Sequence, residues 1–115
     1  MGGLRTLSEF PTWRTMREVL RERVRMKQAS GEEDYRDGTS AWLLTVAQQA
    51  KLEMEIAFER RQCTWQLILG AHYAKAMSET DPELLREALG KVAATAMAWM
   101  EAVVKRTKKP ERVRP

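Results

Sequence analysis

Two helix patterns joined by a very short turn, between Thr64 and Arg106, constrain the fold of this 115-residue chain most. Thr64 is a good N-cap for a helix that we expect to end near Ser78. Asp81 and Pro82 supply an N-cap and a first-turn proline for the next helix. The apolar residues of that helix recur at helical spacing and are Leu84, Leu85, Ala88, Leu89, Val92, Ala96, Trp99 and Val103. So short a connection favours antiparallel packing of the two helices.

Two further helices are predicted ahead of this pair. One begins after Pro11-Thr12 and ends near Gly31, since glycine readily adopts the positive φ of a helix stop. Its apolar face consists of Trp13, Met16, Leu20 and Val24. The other is expected to start at the N-cap Ser40 and to run to about Arg61. The first half of this second helix is apolar almost all round, so we expect it to be buried.

The sequence therefore predicts an all-α fold with four helices in an up-and-down arrangement. Strand signals are nearly absent, because no stretch sustains an alternation of apolar and polar residues. A single helical domain should cover residues 1–106. Residues 107–115 are expected to form a flexible basic tail, since a helix should not continue past Pro110. Long amphipathic helices of this kind leave apolar surface uncovered, which favours a homodimer.

Composition narrows the class of protein. Hydrophobic residues make up 43% of the chain and charged residues 31%, which is typical of a globular domain and argues against disorder. No apolar run approaches the roughly 20 residues of a membrane span. The chain has one cysteine, Cys63, and its start lacks the apolar core of a signal peptide. We therefore expect a cytoplasmic protein.

Charge is unevenly distributed along the chain. Residues 1–30 hold seven basic and three acidic side chains, residues 105–115 hold six and one, and residues 31–104 hold seven and twelve. Basic ends around an acidic middle suit self-association or an anionic partner, although solvated helix surfaces would give the same pattern. Nucleic acid is not an expected partner, because the basic residues are not interleaved with aromatic ones and no known motif is present.

The paired helices resemble the catalytic helices of MazG-like nucleotide pyrophosphohydrolases, an all-α superfamily. The resemblance covers Thr64–Arg106 without a gap and is carried by the runs W-Q-L-I-L-G, S-E-T-D-P-E-L-L-R and V-A-A-T-A-M-A-W-M-E-A. A weaker similarity lies upstream, where Asp37-Gly38-Thr39 matches the end of a passage found in a short bacterial branch of the family. The resemblance implies a similar helical fold and raises the expectation of a dimer.

The chain departs from that family at the metal site. MazG-like proteins hold Mg²⁺ against a triphosphate with an E-E-x-x-E run on one helix and an acidic pair on the next. The corresponding residues here are Ala71, His72, Lys75, Ala88 and Lys91. Mg²⁺ prefers oxygen ligands, and alanine, lysine and histidine do not provide them. We therefore expect no metal, no cofactor and no magnesium-dependent pyrophosphohydrolysis.

The altered cleft suggests a different ligand, namely a modified peptide or another apolar molecule. His72 and Lys75 are the candidate catalytic residues, because either could act as a base. Candidate ligand contacts are Trp42, Glu53, Met54, Trp65 and Lys91. In size and helical character the chain resembles the lysinoalanine-forming proteins of the duramycin and cinnamycin lantibiotic clusters. That resemblance implies an enzyme that orients a peptide for addition of a lysine amine to dehydroalanine.

Other interpretations stay open. The chain could be a nucleotide-binding or residual pyrophosphohydrolase homologue that uses acids elsewhere, such as those of residues 32–34, or a non-catalytic interaction module. His72 could be an ordinary surface histidine. Lys75 and Lys91 could pair with acids of the second helix, at Glu53, Glu55 or Glu59.

Overall fold

All regular structure described by the computed structural model, which covers residues 11–31 and 34–113, is helical. Helix α1 spans Pro11–Ser30, α2 spans Leu44–Glu59, α3 spans Trp65–Met77 and α4 spans Pro82–Val113. A 3₁₀ turn, Ala41–Leu43, leads directly into α2. The predicted all-α fold with four helices is therefore confirmed for this part of the chain. Among the same residues, none of the helices has both the length and the apolar character needed to cross a membrane.

Side-chain caps fix the starts of three helical segments. The side chains of Ser40, Thr64 and Asp81 accept hydrogen bonds from backbone N–H groups two or three residues later, at 3.2, 3.2 and 3.1 Å. Each bond satisfies one of the donors that a helix start leaves without an intrahelical partner. The predicted N-caps Thr64 and Asp81 are confirmed for α3 and α4. Ser40 caps the 3₁₀ turn instead, and α2 itself begins at Leu44 without a side-chain cap.

The ends of α1 and α2 use the left-handed backbone region in different ways. Gly31 has φ +77° and its N–H donates to the Lys27 carbonyl at 2.8 Å, which confirms the predicted stop of α1. Helix α2 ends at Glu59, slightly earlier than predicted, and Arg61 takes φ 56°. The Gln62 N–H then donates to the carbonyl of residue 57 at 2.8 Å, the bond of a Schellman stop.

Helix α4 continues to Val113, so the prediction that no helix extends past Pro110 is wrong. A proline within a helix has no N–H to donate to the carbonyl four residues earlier, here that of Arg106. Three residues of α4 follow Pro110. The missing bond therefore affects only the last turn, where few others depend on it.

The chain forms two compact units, Met1–Tyr35 with Met97–Pro115, and Arg36–Ala96. Helix α4 contributes residues to both. In the first unit the Thr12 hydroxyl donates to a Glu101 carboxylate oxygen at 2.9 Å, and Thr15 is buried. A single domain over residues 1–106 stays a prediction.

In the unit of residues 36–96, a small apolar core joins the end of α3 to the first half of α4. Ala76 is fully buried, and with Leu85 and Ala88 it forms a small core to which Met77 and Val92 add partly buried side chains. Helix α2 packs against α3. Ser40, which precedes the 3₁₀ turn, is hydrogen-bonded to the end of α3, because its N–H donates to the Met77 carbonyl at 2.9 Å. These contacts hold α2, α3 and α4 around a common space.

The expected burial of the first half of the second helix is wrong. Within α2, all of which is described, Ala47 is the only buried residue. Leu44 and Val46 are about half exposed, and Trp42 in the preceding 3₁₀ turn is 92% exposed. Apart from Ala47, the apolar side chains of α2 are half-buried or exposed.

Candidate functional site

A cleft of about 470 Å³ lies within the unit of residues 36–96. One face of α2 provides Leu44, Ala47, Gln48, Lys51 and Met54. The second set, from α3 and the turn after it, consists of Ala71, His72, Lys75 and Glu79. The third set, from α4, consists of Leu84, Glu87, Ala88 and Lys91. Clefts of this size bind small molecules or short segments of larger ones.

Helical spacing explains why these side chains meet. In α4 the lining residues follow the pattern i, i+3, i+4, i+7, which places them on one face. In α3 the pattern is i, i+1, i+4 from Ala71 to Lys75. The N-caps Thr64 and Asp81 set where the two helices begin, and the short turn between them sets their relative register. Local sequence signals therefore decide which faces line the cleft.

All five positions at which the resemblance expects metal-binding acids line this one cleft. Ala71 and Ala88 are both 6% exposed and are part of its inner surface. His72 is half-buried, and Lys75 and Lys91 are exposed at its edge. None of these five residues is acidic, so they contribute no carboxylate to the cleft.

The inner surface is aliphatic. Ala47 is 4% exposed and lies with Ala71 and Ala88 among the most buried lining residues. Met54 adds a half-buried thioether, and Leu44 and Leu84 add aliphatic surface. Among the described residues that line the cleft, none is a phenylalanine, tyrosine, tryptophan or arginine. A ligand with an aliphatic body would therefore find more apolar contact here than one that requires stacking on a ring.

Lysines from three different helices meet at the cleft: Lys51 of α2, Lys75 of α3 and Lys91 of α4. The opposing charges are the carboxylates of Glu79 and Glu87. The lining therefore has three ammonium groups and two carboxylates. Such an excess of positive charge favours an anionic ligand.

One of the lysines is already paired. The Lys75 Nζ lies 2.6 Å from the Glu79 Oε1, and the Glu79 side chain is 13% exposed. Ser78 helps to place this acid, because its hydroxyl donates to the Lys75 carbonyl at 2.7 Å where α3 ends. The Lys75 side chain is itself 57% exposed, so the pair contributes at most about 1 kcal/mol to stability.

The other two lysines have no such partner. Among the described residues, neither Lys51 nor Lys91 has a carboxylate oxygen within 4.0 Å. Glu87 precedes Lys91 by one helical turn, a spacing that allows an ion pair, yet the two side chains do not pair. Two ammonium groups therefore face the cleft with their charge uncompensated by a contact.

Four of the seven predicted site residues line the cleft: Met54, His72, Lys75 and Lys91. Trp42, Glu53 and Trp65 are not part of the lining. Glu53 instead accepts a hydrogen bond from the side-chain amide of Gln49 at 3.2 Å. Catalytic and ligand-binding roles for all seven stay predictions.

Sequence reasoning missed two charged lining residues and misassigned one pair. Leu44, Ala47 and Lys51 follow the spacing i, i+3, i+7 on the cleft face of α2, so helical spacing could have found Lys51. Glu79 lies in the turn after α3, where sequence spacing does not predict the direction in which a side chain points. The expected pairing of Lys75 with an acid of the second helix is wrong, because Lys75 pairs with Glu79.

Among the described residues, no group of three or more histidine, cysteine, aspartate or glutamate side chains is arranged to hold a metal ion. Asp34, one of the acids proposed for a residual hydrolase, is exposed, whereas residues 32 and 33 lie outside the described part.

Comparison of the chain with protein-family models, with curated proteins and with solved structures finds no match.

Proposed function

We propose that the cleft of residues 36–96 binds, without a divalent metal, an organic ligand that combines an acidic group with an aliphatic body, such as a modified peptide. The observation that supports this most is the convergence of three lysines from three helices on an aliphatic cleft. A lysine ammonium group is positively charged and can bind an anion directly. A metal-dependent site instead needs carboxylates that hold Mg²⁺, and the Mg²⁺ then binds the anion.

We further propose that the scaffold is MazG-like. The support is spatial, because the five residues that replace the family's acids lie around one cleft rather than apart. The proposal concerns the scaffold and leaves the family's reaction aside.

Calorimetric titration with octanoate in the presence of EDTA tests the binding proposal. Octanoate has one carboxylate and an aliphatic chain, and it should bind saturably without added metal. Lys51→Met and Lys91→Met should each weaken the binding, because each removes a cleft charge while keeping apolar bulk. Lys105→Met is the matched control, since Lys105 is exposed and outside the lining. Binding that requires Mg²⁺, or that is unchanged in both cleft variants, would contradict the proposal.

A second candidate is the formation of lysinoalanine in a bound peptide. It is favoured by His72, which lies half-buried in the cleft one turn before Lys75. In this reaction the nitrogen of a substrate lysine bonds to the β-carbon of dehydroalanine, and a proton passes from that nitrogen to the α-carbon. A side chain that holds the transferred proton, together with a cleft that orients both groups, would accelerate the step.

Incubation with a dehydrated peptide that contains one lysine tests this candidate. Product formation leaves the mass unchanged, so it is followed by loss of reactivity toward an added thiol and by fragmentation mass spectrometry. His72→Ala should abolish the cross-link, whereas Gln66→Ala, at an exposed position of the same helix outside the lining, should not. A peptide that keeps its dehydroalanine with the unaltered protein would remove the candidate.

We also propose that the chain forms a homodimer. The support is the exposure of apolar residues at helical spacing on α1, namely Met16, Leu20 and Val24 at 38%, 53% and 54%. An apolar stripe of this kind usually marks a surface that another protein covers. The basic ends and acidic middle of the chain offer the complementary charges that two copies can use.

A further inference from the structure

We infer that the acidic group of the ligand is a phosphomonoester in its doubly charged form, carried on an aliphatic body, and that Lys51 and Lys91 hold it. The inference rests on the proposed binding function and specifies its ligand class. It follows from three features of the cleft: which of its charged residues are paired, that its cations are lysines, and that its inner surface is aliphatic.

The charges of the cleft favour an anion of low charge. The ammonium group of Lys75 is compensated by Glu79 at 2.6 Å, and among the described residues neither Lys51 nor Lys91 has a carboxylate contact. Each of these two ammonium groups can contact one negatively charged oxygen of a single ligand group. Glu87 also lines the cleft and adds a negative charge. It opposes a triphosphate, whose charge would exceed what the lysines balance.

The type of cation is compatible with a phosphate. The planar guanidinium of arginine matches carboxylates and phosphates alike through two parallel hydrogen bonds, and the described part of the cleft lining has no arginine. Lysine acts as a compact charge that approaches a phosphate oxygen from many directions. Two lysines on separate helices can therefore each contact a different oxygen of the same phosphate. His72 can donate one more hydrogen bond through its ring N–H.

The inner surface favours an aliphatic body over a nucleobase. Protein sites commonly stack a flat base on a Phe, Tyr or Trp ring, and none of these three residue types is among the described residues that line this cleft. The buried alanines leave room, and the flexible thioether of Met54 adapts to an alkyl chain. An alkyl phosphate and a phosphoserine flanked by aliphatic residues share this chemistry.

Calorimetry in EDTA with matched probes tests the inference. The probes are octyl phosphate, octanoate, adenosine monophosphate and a phosphoserine peptide with leucine on both sides. At about pH 8 a phosphomonoester, whose second pKa is near 6, is a dianion. Octyl phosphate should bind about tenfold more tightly than octanoate or adenosine monophosphate. Of these three probes, only octyl phosphate combines a phosphate for the two lysines with an alkyl chain for the aliphatic surface. The relative affinities of octyl phosphate and the peptide then distinguish a small molecule from a peptide ligand.

The possible outcomes separate this inference from the proposed function. If octanoate binds as tightly as octyl phosphate, the cleft binds aliphatic anions but the inference of a phosphomonoester is wrong. If adenosine monophosphate binds more tightly than octyl phosphate, the inference of an aliphatic body is wrong. If none of the probes binds, both the inference and the proposed function fail.

Variants test which residues hold the phosphate. Lys51→Met and Lys91→Met should each weaken octyl phosphate binding about tenfold, and Lys105→Met should leave it unchanged. Glu79→Gln releases Lys75 from its ion pair and should strengthen the binding. Circular dichroism of each variant confirms that it is folded. Octyl phosphate affinity that is unaltered in folded Lys51→Met and Lys91→Met would overturn the inference.

Discussion

Single residues decide the chemistry of the cleft. Ala71 and Ala88 leave space because their side chains are short, and three lysines at its edge determine the sign of its charge. The resemblance to MazG-like proteins implied that His72, Lys75 and Lys91 share a cleft, and all three line it. The sequence did not predict the pairing of Lys75 with Glu79, since rotamers and loop geometry decide that contact.

Close packing at Ala76 gives a prediction for a single residue. Ala76 is fully buried against Leu85 and Ala88. Ala76→Leu inserts three carbon atoms into this contact and should lower the free energy of unfolding by about 1–3 kcal/mol. Urea denaturation followed by far-UV circular dichroism measures the change. Ala93→Leu, at an exposed position of α4, is the matched control and should change stability little. Equal stability of the two variants would mean that α3 and α4 do not pack as described.

At the scale of helices, most boundaries follow from local sequence. Ser40, Thr64 and Asp81 cap their own neighbours, so their effect needs no tertiary contact. The stop of α2 at a left-handed Arg61 has no such signal, because arginine has no intrinsic preference for that conformation. The continuation of α4 through Pro110 likewise goes against the local rule.

The cap at Thr64 can be tested by truncation. Thr64→Ala removes the oxygen that accepts the Leu67 N–H at 3.2 Å, so the free energy of unfolding should fall by about 0.5–2 kcal/mol. Thr45→Ala makes the same change at an exposed position inside α2 and should be neutral or slightly stabilising, because alanine is the better helix former. Chemical denaturation compares the two. A loss of equal size at both positions would show that Thr64 does not act through its cap.

Two glycines in different backbone regions should respond oppositely to the same substitution. Gly31 has φ +77°, so Gly31→Ala should destabilise the end of α1 by about 1 kcal/mol. Gly90 lies inside α4 in ordinary helical conformation, and Gly90→Ala should stabilise the protein by about 0.5–1 kcal/mol. An added Cβ meets nothing within 4 Å at either position, so crowding does not contribute. Thermal unfolding followed by circular dichroism should show shifts of opposite sign, and shifts of the same sign would contradict the assigned conformations.

At the scale of the whole molecule, the exposed apolar stripe of α1, formed by Met16, Leu20 and Val24, is the surface that a partner protein would cover. Sequence patterning predicted Met16, Leu20 and Val24 as one apolar face, and they do share a face, yet each is more than a third exposed. Periodicity shows which residues share a face. It does not show which other surface, in the same chain or in a second copy, covers them.

A homodimer that covers this stripe can be measured directly. Sedimentation equilibrium should give a mass of about twice 13.3 kDa at micromolar concentration. Leu20→Glu places a charge in the stripe and should weaken dimerisation at least about tenfold, because a carboxylate is costly to bury without a partner. Ala29→Glu adds the same charge to an exposed position of α1 away from the stripe and should leave the mass unchanged. A monomeric mass for the unaltered protein at every concentration would contradict the dimer.

The sequence by itself determined the all-α class, the four helices and the capped starts of α3 and α4. These depend on interactions between residues that are close along the chain, such as the bond from the Leu67 N–H to Thr64. Only the tertiary structure decided that Glu79 compensates Lys75 and that most of α2 is exposed. The physical reason is that charge compensation and burial depend on which helix faces meet, and a periodic pattern on one helix contains no information about its neighbour.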